Sequence, residues 1–278
     1  MITSGHIPVN GARIYFEATG DPSMPALLFI HAGVADQRMW DAQVEYFAPR
    51  YRVVRYDTRG YGQTMMKDVE FTNHADATAV LDHLRIAKAV LIGCSRGGGI
   101  AIDFTLEHPQ QVLALVVVGS GPGGFQYKRP DNEVGKFIGS LSDQMDTAWK
   151  ARDFERLAAL DVRLWGDGPS APEGRMARPM REKMYGMCLD TYRHWTTNGK
   201  PIELQPPAYE RLSEIKAPTL IVDGDLDLPS IAVMAEAMQG AITHAQRLTI
   251  RNAAHLTPME QPDVFNAALE NFLRQNHT

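Results

Sequence analysis

Short runs of consecutive apolar residues recur along the chain, at 26–30 (Ala-Leu-Leu-Phe-Ile), 89–92 (Ala-Val-Leu-Ile), 112–118 (Val-Leu-Ala-Leu-Val-Val-Val) and 219–222 (Thr-Leu-Ile-Val). Runs of this length without polar alternation predict strands covered on both faces. Segments 51–56 and 245–250 supply two further strands. Between the strands, 39–47, 75–84, 100–106 and 264–273 read as helices, the last by its apolar and polar spacing. The pair Asn10-Gly11 predicts a hairpin turn between 7–9 and 13–18. Such alternation of strand and helix predicts an α/β fold with a doubly wound, mostly parallel sheet. The rhythm stops at Gly121-Pro122-Gly123-Gly124 and resumes only after Gln205-Pro206-Pro207. In between, the pattern predicts helices and no strand.

One junction carries candidate chemistry. The apolar run at 89–92 leads directly into Gly93-Cys94-Ser95-Arg96-Gly97, and a helical segment follows. Strand, G-x-S-x-G and helix in that order predict a sharp turn that lifts the Ser95 hydroxyl clear of the sheet. Glycines flank the serine because side chains would collide in so tight a turn. The Arg96 N–H then lies at a helix N-terminus, where developing negative charge is favoured. No Gly-Lys-Ser/Thr follows, so a phosphate-binding loop of the Walker type is disfavoured.

A serine hydroxyl needs a base, and the base needs an orienting acid. With a serine on such a turn, the expected chain order is Ser, acid, His. The strand at 219–222 is followed by Asp223-Gly224-Asp225-Leu226-Asp227. The strand ending at Ile250 is followed by Arg251-Asn252-Ala253-Ala254-His255. Both loops leave the C-terminal ends of strands, where open α/β sheets place their ligands. His255 alone among the histidines combines this order with this context. The other loop offers Asp223, Asp225 and Asp227 as acids.

Together these residues resemble the α/β-hydrolase superfamily. The likeness spans nearly the whole core. It rests on His31-Ala32-Gly33 with Met39-Trp40, Asp57-x-Arg59-Gly60-x-Gly62, the Ser95 turn, Gly224-x-x-Asp227, and Ala254-His255 followed by Glu260-x-Pro262. The resemblance implies a cofactor-free hydrolase whose triad is Ser95, Asp227 and His255, Asp227 being the acid at the family's spacing. It also implies an oxyanion hole of backbone amides, Arg96 N–H and Gly33 N–H, although Ala32 stands where the family usually has glycine. Residues 1–122 and 207–278 are expected to form the core, and 123–206 a helical cap. The expected substrates are small to medium carboxylic esters. The alternatives are an enol-lactone or acyl-lactone hydrolase, or a ligand receptor that keeps a slow triad. Serine at the turn disfavours dehalogenase and epoxide-hydrolase chemistry, for which the family pattern places aspartate there.

The bulk properties agree with a globular enzyme, at 44% hydrophobic and 22% charged residues. A net charge of −5 with scattered Lys and Arg gives no footprint for nucleic acid or an anionic membrane. Cys94 and Cys188 are too few for a disulfide framework, and no leader or spanning segment is visible, so a cytoplasmic location is expected. No H-E-x-x-H or paired C-x-x-C spacing occurs, so no metal is expected. Cys94, beside the nucleophile, reads as a small buried filler. Met176, Met180, Met184 and Met187 read as one packed helix face or a flexible apolar wall. Trp165, Tyr192 and Trp195 read as aromatic lining or as core. The Arg96 side chain reads either as facing the cleft, to attract an acidic substrate, or as a surface salt bridge.

Overall fold

The computed structural model describes residues 2–194 and 199–277. The chain opens with the hairpin β1 (Ile2–Val9) and β2 (Ala12–Thr19), in which Val9 pairs with Ala12 around Asn10-Gly11. It continues through β3 (Ala26–Ile30), α1 (Asp41–Phe47), β4 (Arg52–Tyr56), the two-residue strands β5 (Met65–Met66) and β6 (Glu70–Phe71), and α2 (Asn73–His83). Then follow β7 (Ala89–Cys94), α3 (Arg96–Glu107) and β8 (Val112–Val118). The inserted region holds α4 (Glu133–Ala151), α5 (Phe154–Asp161), a π-helical turn (Val162–Asp167), α6 (Arg178–His194) and the short β9 (Lys200–Pro201). The chain closes with α7 (Ala208–Arg211), β10 (Thr219–Gly224), α8 (Pro229–Ala241), β11 (Gln246–Ile250), α9 (Thr257–Glu260) and α10 (Pro262–Gln275).

The main sheet runs β1-β2-β4-β3-β7-β8-β10-β11, with β5 beside β2. Every pair from β4 to β11 is parallel, and the pairs made by β2 are antiparallel. The continuous apolar runs have a simple cause. Leu28, Ile30, Leu91, Leu115 and Val117 pack into one core with side chains of α2, α3 and α8. Their neighbours Leu27, Phe29, Val90, Ile92, Val116 and Val118 pack into the other with α1 and α10. Both faces are covered, so neither parity of position can be polar.

The inserted region forms a helical cap with a small core of its own, including Ile138, Leu141, Leu157, Leu160 and Leu164. Helices α4 and α5 begin at side-chain caps: Asn132 Oδ1 accepts Gly135 N–H at 2.9 Å, and Asp153 Oδ1 accepts Arg156 N–H at 3.0 Å. The expectation of no strand in this region is corrected by β9, whose Lys200 and Pro201 pair with Glu70 and Phe71 of β6. A two-residue strand has no periodicity to read. The methionine face is also narrower than expected. Met180, Met184 and Met187 lie on α6, whereas Met176 precedes it and is buried all the same. Trp195, named above as aromatic lining, falls outside the described residues. Among those residues no helix is long and apolar enough to cross a membrane.

Candidate active site

Ser95 sits between β7 and α3 with φ 51° and ψ −118°, a backbone conformation that costs a non-glycine residue about 1–3 kcal/mol. Its surroundings hold it there. Ser95 N–H continues the β7–β8 ladder to Val118 O at 2.8 Å. Its carbonyl accepts Gly98 N–H at 2.8 Å, Gly99 N–H at 3.1 Å and Ser120 Oγ–H at 2.6 Å. The turn closes because Gly93 and Gly97 are bare. A Cβ on Gly93 would stand 2.1 Å from Gly97 O, and one on Gly97 would stand 2.2 Å from Ile30 O.

Asp227 and His255 come from the loops after β10 and β11, two strands that pair in parallel along Leu220–Gly224 and Gln246–Ile250. Asp225 N–H donates to Ile250 O at 3.1 Å and Leu226 N–H to Ala253 O at 3.0 Å, which stitches the Asp227 loop to the His255 loop. His255 Nδ1 lies 3.0 and 2.9 Å from the two oxygens of Asp227. A carboxylate accepts, so His255 Nδ1–H is the donor in this pair. Leu228 N–H, 2.7 Å from Asp227 Oδ1, fixes the carboxylate in turn. Both side chains are 2% exposed, so the pair acts across a low-dielectric gap.

The other carboxylates of that loop are otherwise engaged. Asp223 is held by Arg247 at 2.8 Å and by Thr249, and Asp225 is exposed. Of the loop's three aspartates, Asp227 is the one that the structure brings to His255. The register of Ile30 opposite Gly93 sets the 31–34 loop beside the serine turn. There the Cβ position of Gly33 is 3.7 Å from Arg96 Cβ, so the two amides expected to form the oxyanion hole belong to touching residues. Arg96 N–H opens α3 and therefore has no partner inside the helix. His31 is structural: Nδ1–H donates to Ala32 O at 2.8 Å, and Nε2 accepts Thr58 N–H at 2.9 Å. Burial pushes its pKa down to about 4, and the ring stays neutral.

Sequence reasoning missed how firmly the cap grips His255. Trp165, in the π-helical turn, accepts His255 N–H at 3.2 Å through its carbonyl and sets its ring 4.4 Å from the imidazole. Arg175 donates to Gly166 O, Asp167 O and Asn252 O and pairs with Glu260. Glu260 accepts Ala254 N–H at 3.0 Å, one residue before His255. Gly119 was also missed; its Cβ position lies 3.3 Å from His255 Nδ1, and nothing in its local sequence signals that role. Cys94 is fully buried, and burial raises its thiol well above the ordinary range, so it is a filler. Among the described residues no His/Cys/Asp/Glu group has the arrangement to hold a metal ion.

Beneath Trp165 lies Asp161, buried in the cap, which accepts Tyr192 O–H and a hydrogen bond from the Trp165 side chain. Burial pushes its pKa up from 3.8 to about 6. The folded chain thus holds this proton more tightly than the unfolded chain. Asp161 is neutral in both states below about pH 4, and ionising it across pH 4 to 6 costs the folded state about 3 kcal/mol. Asp161→Asn removes that cost. The melting temperature of the variant relative to the wild type is expected to climb between pH 4 and 6.5 and then level off, as read by thermal unfolding. Parallel curves for the two proteins would refute the assignment.

Comparison with known proteins agrees with this fold. The model of the alpha/beta hydrolase family matches residues 27–268. The 3-oxoadipate enol-lactonase 1 of Acinetobacter baylyi is 25% identical over 274 residues, covering 95% of this chain and 94% of its own. The bifunctional esterase/perhydrolase DCH of Acinetobacter calcoaceticus is 24% identical over 277 residues, covering 95% and 97%. The structure of a thermophilic esterase from Thermogutta terrifontis superposes with a TM-score of 0.75 at 24% identity, over 100% of both chains. The sheet order, the serine turn and the family match lead to one statement: this chain belongs to the α/β hydrolase family.

Proposed function

We propose that the protein hydrolyses carboxylic esters of small to medium size through an acyl-enzyme on Ser95. The observation that carries this reading is the His255–Asp227 hydrogen bond at 2.9 Å, on the same sheet edge as the strained serine. His255 Nε2 takes the hydroxyl proton as Ser95 Oγ attacks the acyl carbonyl, and Asp227 stabilises the imidazolium that forms. The Gly33 and Arg96 amides receive the developing oxyanion. Collapse returns the proton to the departing alcohol. Water then attacks the acyl-enzyme, with His255 again as base, and releases the acid and free Ser95.

Lactone hydrolysis is the second reading. It uses the same groups and differs in that the alcohol remains tethered to the acyl group. The likeness to an enol-lactonase along 95% of the chain supports it. One experiment covers both readings. The protein is treated with a fluorophosphonate, and a parallel sample is given aryl esters of rising acyl length and a set of γ- and δ-lactones. The expected result is one phosphonyl group per chain on the Ser95 peptide, with loss of multiple-turnover hydrolysis. The series that turns over faster then fixes ester against lactone. Folded protein that turns over neither series defeats the enzyme reading, and a single burst without further turnover marks a receptor.

A further inference from the structure

Arg96 is left with an unused cation beside the serine. Its guanidinium is partly buried, and its partners are neutral: Nη2–H donates to Asn73 Oδ1 at 3.0 Å, Nε–H reaches Thr58 Oγ1 at 3.4 Å, and Cζ lies 5.4 Å from the centre of the Tyr61 ring. The other arginines on the sheet and its turns that pack against carboxylates are neutralised. Arg55 meets Glu17 and Asp41, Arg59 meets Asp76, and Arg247 meets Asp223. Among the described residues Arg96 meets no carboxylate. Asp76, on the neighbouring α2, lies close enough to feel the Arg96 charge but gives both its oxygens to Arg59, by paired hydrogen bonds of 2.7 Å. Nearby His31 is neutral. The surface-salt-bridge reading of this side chain is therefore overturned.

A guanidinium is always ionised and carries five donors, of which two are engaged here. Partly withdrawing such a charge from water without a carboxylate in contact is unfavourable, and a neutral glutamine could bridge Asn73 and Thr58 without that cost. The position is also informative. The Arg96 stem passes the Cβ position of Gly33 at 3.7 and 3.9 Å, so the charge lies next to the expected oxyanion amides. The N-terminal end of α2, at Asn73, adds positive potential on the far side. The geometry points to a substrate that brings its own anion: an ester or lactone whose acyl part ends in a carboxylate, gripped by the Arg96 guanidinium while its carbonyl sits over Ser95. This inference rests on the hydrolase reading of Ser95.

The test uses two substrates of matched length, mono(para-nitrophenyl) glutarate and its neutral methyl ester, with wild type, R96Q and R96K. The readout is the ratio of kcat/KM for the acid to that for the neutral ester, in which any shared effect on the oxyanion hole cancels. Wild type is expected to prefer the acid, through KM. R96Q is expected to lower the ratio about 10- to 100-fold, and R96K, which keeps the charge and loses the fork, by less. A wild-type preference for the neutral ester, or equal losses on both substrates in R96Q, overturns the proposal, since equal losses are what a structural tie to Thr58 and Asn73 produces. Absence of turnover on both esters defeats the hydrolase reading instead. The melting shift with glutarate alone then decides on Arg96: a shift in wild type that R96Q abolishes supports it, and equal shifts or none overturn it.

Discussion

Ser95→Ala is expected to lower kcat/KM on any ester that the wild type hydrolyses by about 10⁵- to 10⁶-fold, without loss of fold. The chemical reason is that the proposed acyl-enzyme forms on the Ser95 hydroxyl, which alanine lacks. The structural reason is that the turn does not depend on the hydroxyl. It is held by the Ser95 backbone, through Val118 O, Gly98 N–H, Gly99 N–H and Ser120 Oγ, and these contacts survive the substitution. Ser95→Gly sharpens the argument. Glycine tolerates φ 51° and ψ −118° without strain, so this variant is expected to be as inactive as alanine and more stable by about 1 kcal/mol. Esterase kinetics and thermal unfolding of the three proteins check both halves. Near-normal turnover in either variant would remove Ser95 from the mechanism.

The strands that position this site were legible because their environment is uniform. Where both faces of a strand meet helices, as for β3, β7 and β8, every residue must be apolar and the run announces itself. The hairpin at Asn10-Gly11 was legible for the opposite reason, since the turn itself restricts the residue type. Strands β5, β6 and β9 were not, because two residues carry no pattern. The helix α8 was not singled out either; its apolar residues do not form a strong stripe.

The same divide runs through the candidate site. Ser95, the acid loop and His255 follow recognisable strand ends. The contest among Asp223, Asp225 and Asp227 was a matter of spacing in the sequence and becomes one of partners in the structure: Arg247 occupies Asp223, water reaches Asp225, and His255 meets Asp227. What could not be read was long-range. Trp165 is ninety residues from His255 in the chain, yet it touches both its amide and its ring. The Arg175–Glu260 pair ties the same cap turn to the base loop. The cap therefore sets the position of the imidazole, a coupling that needs the packed fold to exist.

The second large effect concerns the glycines around Ser95, which look interchangeable in Gly97-Gly98-Gly99 and are not. Gly97→Ala is expected to abolish folding, or to destabilise by more than about 4 kcal/mol, because its Cβ would stand 2.2 Å from Ile30 O and 2.8 Å from His31 O. Both are backbone atoms of β3 and the loop after it, so neither can rotate away, and the loop that carries Gly33 would have to move. Gly93→Ala fails in the same way, with Gly97 O at 2.1 Å. Gly98→Ala meets the Cβ of Ser120 at 2.5 Å, which threatens the Ser120 bond to Ser95 O and predicts an intermediate loss. Gly99→Ala meets nothing closer than Gly121 O at 3.8 Å and lies inside α3, where alanine is the better helix former by about 1 kcal/mol. The expected order of stability is Gly99→Ala at or above wild type, then Gly98→Ala, with Gly97→Ala and Gly93→Ala at the bottom. Urea unfolding of the soluble variants, with the soluble yield of the others, reads it. A stable Gly97→Ala protein with normal turnover would mean that the helix does not press against β3, and the serine would then have no reason to sit in a strained turn.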